Sequence, residues 1–196
     1  MIERVAERAG PELQTGLDRL SQAGLLFRRG VPPQSSYLFK HALVQDAAYG
    51  TLLRTRRQEL HARVAAALEA HFADLVERQP ELLAHHLTAA GDTERAVDQW
   101  LKAGQFAAEH TAHREAISHF DRGLAALAAL PEGLSRDGTK IELQLARGVS
   151  LFTTEGDISQ AAAEAYARAR KLAEQHGDAR QLFMAFGNPP PVPATS

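Results

Sequence analysis

Histidine is the residue type whose chemistry most needs an explanation in this chain, since there are nine of them. His110 and His113 stand three residues apart beside Glu109, and His85 and His86 are adjacent. A zinc site on a helix uses ligands four residues apart with a third ligand nearby, and adjacent residues point to different faces of a helix. We therefore predict no metal site, and we expect partly buried, hydrogen-bonded imidazoles where helices meet.

The chain lacks the residues that nucleophilic catalysis and nucleotide binding usually require. The chain has no cysteine and no Gly-x-Ser-x-Gly sequence, and its Ser118 and His119 are neighbours, which a helix would hold apart. No Gly-x-x-x-x-Gly-Lys-Ser/Thr sequence is present to cradle a phosphate. The sequence therefore predicts that the chain is not an enzyme and takes no cofactor.

Positive charge is concentrated at the start of the chain. Residues 1–63 carry 10 Lys/Arg and 6 Asp/Glu, whereas residues 64–196 carry 12 and 18, so the net charges are +4 and −6. Such a basic region attracts phosphates or acidic protein surfaces, although helix surfaces also carry ordinary solvated arginines. The candidate basic interaction patch consists of Arg54, Arg56 and Arg57, with Arg28, Arg29 and Lys40 before it.

The elements that position this patch begin with a short helix over 11–23, because leucines recur there on one face. Residues 25–29 and 37–39 have the composition of strands and enclose a turn that contains Pro32-Pro33. Helix, strand, turn and strand is the order found in the second half of a winged helix. We therefore predict a partial winged helix at 1–40.

A winged helix can place a recognition helix in the major groove of DNA, and here that helix would be 11–23. It offers Arg19 beside Glu12 and Asp18, a poor set for reading phosphates or bases. A DNA-binding regulator therefore stays an alternative, and nucleic acid is not the partner that we expect.

From residue 41 onward the pattern is helical, which predicts an all-α fold. Residues 41–90 form a helical linker, in which apolar residues from Leu60 to Leu75 indicate one long helix that Pro80 breaks. Gly-Asp pairs at 91–92, 156–157 and 177–178 then separate helical segments, with Gly closing one helix and Asp capping the next. The predicted helices are 93–109, 112–129, 139–154 and 158–176, arranged as antiparallel hairpins.

Residues 91–177 resemble tetratricopeptide repeats, in which small and aromatic residues recur at fixed places in a unit of 34. The matching units are 97–130 and 141–176, and the second fits if its turn holds about two extra residues. The resemblance implies an α-solenoid, and the residues predicted to form its core are Trp100, Gly104, Ala116, Phe120, Gly148 and Tyr166.

A second resemblance covers residues 13–130. The stretch from Tyr37 to Tyr49, and the sequence Leu-Ala-His-His-Leu that ends at Leu87, are similar to a junction in large bacterial signal-transduction ATPases of the apoptotic-ATPase-like class. Such proteins often accompany adenylate or guanylate cyclase domains. The resemblance implies that this chain spans the end of a winged helix and the start of tetratricopeptide-like repeats, without the P-loop module.

These patterns together predict a non-catalytic protein-interaction or sensor segment in the cytoplasm, with other domains of a parent ATPase or a separate effector protein as its partner. No run of apolar residues approaches the ~20 needed to cross a bilayer, so we expect no membrane contact. We expect a truncated helix and a proline-rich disordered tail at 178–196. Interrupted domains at both ends keep a non-functional gene fragment as a further alternative.

Overall fold

The structure of the chain is a computed structural model that describes residues 2–6, 10–30, 35–156 and 159–176. The truncated helix and tail predicted at 178–196 lie outside the described residues, as does the Pro32-Pro33 turn. The predicted all-α fold class is confirmed, because helices account for most of the described chain and the strands form a single two-stranded sheet.

The first part of the chain contains α1 (Ile2–Val5), α2 (Gly10–Gln22), β1 (Leu26–Arg29), β2 (Ser36–Phe39) and α3 (Ala42–Gly50). Helices then follow one another as α4 (Arg54–His71), α5 (Ala73–Arg78), α6 (Pro80–Ala90), α7 (Thr93–Glu109), α8 (His113–Leu127), α9 (Leu134–Glu155) and α10 (Gln160–His176). We call residues 10–50 the hairpin unit and residues 54–176 the helical array.

The helices of the array form where apolar or small residues recur at intervals of three and four. In α7 this spacing produces one continuous buried face, which consists of Ala96, Val97, Trp100, Ala103, Gly104 and Ala107. The helix ends at a tight turn in which Thr111 has a φ of 61°, a left-handed conformation that is uncommon outside glycine. Repeated along the array, these buried faces form a core that passes from each helix pair to the next.

The turn after α6 has the glycine that the sequence predicted but not the predicted cap. Gly91 takes a left-handed conformation with a φ of 87°, and the N–H of Asp92 donates to the Leu87 carbonyl, which closes the helix. The Asp92 side chain makes no cap hydrogen bond to α7 and instead accepts from Arg95 at 3.0 Å. The expected Asp cap is therefore wrong at this turn, since the guanidinium of Arg95 binds the carboxylate.

Two helix boundaries also differ from the sequence-based prediction. The long helix predicted through Leu75 is wrong, because it breaks at Phe72, which leaves helical geometry and packs against the core formed by α4, α6 and α7. The break lets α5 contact both α4 and α6. Helix α9 starts at Leu134 rather than at residue 139. Its first turn is closed by the N–H of Asp137, which donates to the Gly133 carbonyl.

Contacts between neighbouring helices show that they run antiparallel. Trp100 lies against the backbone of Gly123, and Gly104, one turn later on α7, lies against Phe120, one turn earlier on α8. The same order holds between α8 and α9, where Gly123 meets Leu143 and Asp121 pairs with the later Arg147. It also holds between α9 and α10, where Gly148 meets Tyr166 and the earlier Ile141 shares a cluster with Ala169 and Ala173. Helices α7 to α10 therefore form a succession of antiparallel hairpins.

Candidate functional site

The sheet of the hairpin unit has one face against α2. In the antiparallel register Leu26 pairs with Phe39 and Arg28 with Tyr37, so these four side chains share a face. Leu26 is buried, the amide of Gln14 on α2 donates to the Tyr37 hydroxyl at 3.2 Å, and Arg28 approaches Asp18 at 3.5 Å. These contacts fix the orientation of the sheet on α2.

The opposite face of the sheet exposes apolar side chains beside positive charge. Phe27 and Leu38 pair across the strands and are 55% and 56% exposed. Lys40 lies on the same face with its ammonium 5.4 Å from the centre of the Phe27 ring, and Arg29 is exposed two residues after Phe27. We call Phe27, Arg29, Leu38 and Lys40 the hairpin face. Such a surface suits a partner that offers both apolar groups and carboxylates.

Apolar exposure continues onto α3. Leu43, near its start, is 81% exposed, and Leu53, just after its end, is 76% exposed. No residue of α3 is buried. Two leucines this exposed add apolar surface at α3 and at the turn that follows it.

The three arginines of the predicted basic patch have different surroundings. Arg54 is exposed at the start of α4, whereas Arg56 pairs with Glu59 at 2.9 Å. Arg57 turns back, donating from Nε to the Leu52 carbonyl at 2.9 Å and lying 4.9 Å from the centre of the Tyr49 ring. Arg57 therefore stabilises the turn between α3 and α4, and Arg54 is the member of the patch that faces solvent most openly.

The residues predicted to form the repeat core lie between helices. Trp100, Ala116, Phe120 and Tyr166 are all buried. A Cβ atom added to Gly104 would overlap the Phe120 ring, and one added to Gly148 would lie 3.0 Å from the Tyr166 ring. The α7–α8 hairpin and the α9–α10 hairpin thus each pair a glycine on the first helix with an aromatic ring on the second.

Trp100 also joins the array to groups that the sequence did not connect with it. Its indole N–H donates to the Thr88 hydroxyl at 2.9 Å, which ties α7 to α6. The His119 ring stacks on the indole, and the Arg122 guanidinium lies 5.0 Å from the indole centre. Burial is the main cause that lowers the pKa of His119 below its usual value. His119 and Arg122 line an open cleft of about 460 Å³, together with residues that include Arg78, Glu81 and Glu115.

A cluster of three histidines and a tyrosine joins three helices. Nδ1 of His61 on α4 lies 2.8 Å from Nδ1 of His86 on α6, and the Tyr49 hydroxyl on α3 lies 3.1 Å from Nε2 of His61. The His85 ring packs edge-on against both other imidazoles. Sequence reasoning missed this cluster because His61 and His86 are 25 residues apart, and their pairing depends on how α4 packs on α6.

Metal binding has no support among the described residues, which contain no group of three His, Cys, Asp or Glu side chains arranged to hold an ion. His110 follows the end of α7, and its Nδ1 lies 2.8 Å from the Phe106 carbonyl of that helix, while His113 Nδ1 is buried. In the same part of the chain, no helix is long and apolar enough to cross a membrane.

Comparison with known proteins identifies a relative but no function. An uncharacterized protein of Rhizobium meliloti is 30% identical over 169 residues, which cover 83% of this chain. The match spans only 16% of the relative, so that protein is about six times as long as the matched segment. No family model matches the chain. No solved structure matches it either.

Proposed function

We propose that this chain is a non-catalytic protein-interaction segment whose hairpin face docks on another protein surface. The partner presents aliphatic or aromatic side chains flanked by carboxylates, since Phe27 and Leu38 supply apolar contact and Arg29 and Lys40 supply positive charge. The observation that carries the proposal is the exposure of Phe27 and Leu38 on a face that nothing in the described chain covers.

The proposed setting is a cytoplasmic signal-transduction ATPase in which the helical array forms tetratricopeptide-like repeats. The resemblance of residues 13–130 to that class supports this setting, as do the two glycine–aromatic pairs at Gly104/Phe120 and Gly148/Tyr166. A relative much longer than the matched segment is consistent with it, because a larger protein supplies the surface that the hairpin face would contact.

Site-specific photo-crosslinking in cells tests the proposal. A benzophenone side chain replaces Phe27 in one variant and Phe152, an exposed aromatic residue of α9, in a matched control. We expect a protein adduct from position 27, its loss when Leu38→Glu is added, and none from position 152.

Two other outcomes would contradict the proposal. Equal adducts from both positions would mean that the hairpin face has no preferred partner. Crosslinks from position 27 to nucleic acid, with duplex binding that weakens steeply as salt rises, would support the DNA-binding alternative instead.

A further inference from the structure

The histidine cluster links the hairpin unit to the helical array through a chain of hydrogen bonds. Tyr49 belongs to the last turn of α3, His61 to α4 and His86 to α6. The chain runs from the Tyr49 hydroxyl through both nitrogens of the His61 ring to Nδ1 of His86. A change in the protonation of the histidines therefore acts on three helices at once.

The short contact between the two Nδ1 atoms limits how many protons the pair can hold. At 2.8 Å one ring must donate an N–H while the other accepts with a lone pair. A neutral pair satisfies this requirement, and so does a pair with one imidazolium. With two imidazolium rings, both nitrogens carry hydrogens that face each other, and the contact must open.

Among the described residues, no carboxylate raises the pKa of either histidine of the pair. Burial is the largest cause that lowers the pKa of His86, to about 4, and the neighbouring His61 and His85 lower it further. Burial, followed by His85, also lowers the pKa of His61.

Most of the carboxylates on the elements packed around the pair have other partners. Glu59 on α4 pairs with Arg56, and Glu69 on α4 and Asp92 after α6 both bind Arg95. Glu81 on α6 acts on His119, Glu3 on α1 lies beside Gly10, and Asp46 on α3 is exposed. The cation on the α3 side is Arg57, which lies over the Tyr49 ring.

We propose that Tyr49, His61 and His86 form a proton-sensitive latch between α3 and the helical array. When a second proton enters the histidine pair, the His61–His86 contact opens, the His61 ring moves away from His86, and its hydrogen bond to Tyr49 no longer holds α3 in place. The latch does not depend on whether the hairpin face binds a partner. It would make the position of the hairpin unit respond to acidification.

Hydrogen exchange of the whole chain, read at about pH 7.5 and about pH 5 and corrected for intrinsic exchange rates, tests the latch. We expect protection of α3 to fall by about tenfold or more relative to α8 as the pH drops. Tyr49→Phe removes only the hydroxyl link, so its α3 should exchange quickly at both pH values. His110→Gln, at an exposed position outside the cluster, should respond to pH as the unaltered chain does.

Nitrogen NMR of the histidine rings tests the latch without any substitution. One Nδ1 of the pair should carry a hydrogen at neutral pH while the other does not, and the second protonation should coincide with the loss of α3 protection. Independent titration of His61 and His86 at the ordinary value near 6.5 would overturn the proposal. An unchanged ratio of α3 to α8 protection would overturn it as well.

Discussion

The hairpin unit and the helical array divide the apolar residues of the chain in opposite ways. Between residues 2 and 53 Leu26 is the one buried hydrophobic residue among those described, whereas the array buries a continuous series from Ala65 to Ala173. Of the large hydrophobic residues that are exposed in the described chain, eight lie before Arg54 and two, Val149 and Phe152, lie in α9. The array thus contains its own core, while the hairpin unit turns its apolar residues outward.

This difference indicates which region stabilises the fold and which region offers a surface for a partner. A two-stranded sheet is marginal by itself, and α2 and α3 add no buried residue to it. In the array each helix buries one face against the next, as in solenoids whose repeats stabilise their neighbours. Substitutions in the array should therefore change folding, whereas the same substitutions in the hairpin unit should change binding.

The largest effect is expected at Trp100. Trp100→Ala removes a buried indole that packs between α6, α7 and α8, and should cost roughly 3–5 kcal/mol, enough to unfold the array. Trp100→Phe keeps much of the packing and should cost less. Thermal unfolding followed by circular dichroism measures both, and an unchanged midpoint for Trp100→Ala would show that the residue does not support the core.

A matched pair of leucines contrasts the two regions directly. Leu83→Ala in α6 creates a cavity at a position that is 1% exposed and should cost about 2–5 kcal/mol. Leu43→Ala in α3 removes a side chain that is 81% exposed and should change stability by less than about 0.5 kcal/mol. Chemical unfolding gives both values, and similar costs at the two positions would erase the proposed distinction.

The two glycine–aromatic pairs should differ in how well they tolerate a methyl group. The Cβ atom of Gly104→Ala would overlap the Phe120 ring, and the variant should cost about 1–3 kcal/mol, as overpacked cores do. The Cβ atom of Gly148→Ala would lie 3.0 Å from the Tyr166 ring. This variant should cost less, because a small movement of the ring relieves the close contact. Equal unfolding midpoints for the two variants would contradict the observed packing.

The last prediction concerns pH. His86 has a folded-state pKa of about 4 against 6.5 for the free side chain, so the unfolded chain binds more protons between these values. The contribution of His86 to stability is therefore complete above about pH 6.5 and is lost as the pH falls toward 4. His86→Gln should weaken the dependence of the free energy of unfolding on pH between about pH 4 and 6.5, while His110→Gln, at an exposed position, should leave this dependence unchanged.

Local sequence patterns predicted much of the array and little of how its parts meet. The helices around Trp100 and Phe120 follow from apolar spacing, and the left-handed Gly91 follows from glycine chemistry. The break at Phe72 was missed because a tertiary contact overrides a continuous helical pattern. The pairing of His61 with His86 was missed for a related reason, since it exists only after α4 and α6 have packed.

Native-state hydrogen exchange at neutral pH, resolved along the whole chain, tests the central claim most directly. Amides of α6 to α10 should exchange only through opening of the shared core, with protection near that of global unfolding. Amides of α2, β1 and β2 should exchange much faster, since one buried hydrophobic residue anchors them. Uniform protection from α2 through α10 would contradict the account, because it would show that the hairpin unit belongs to the same cooperative core as the array.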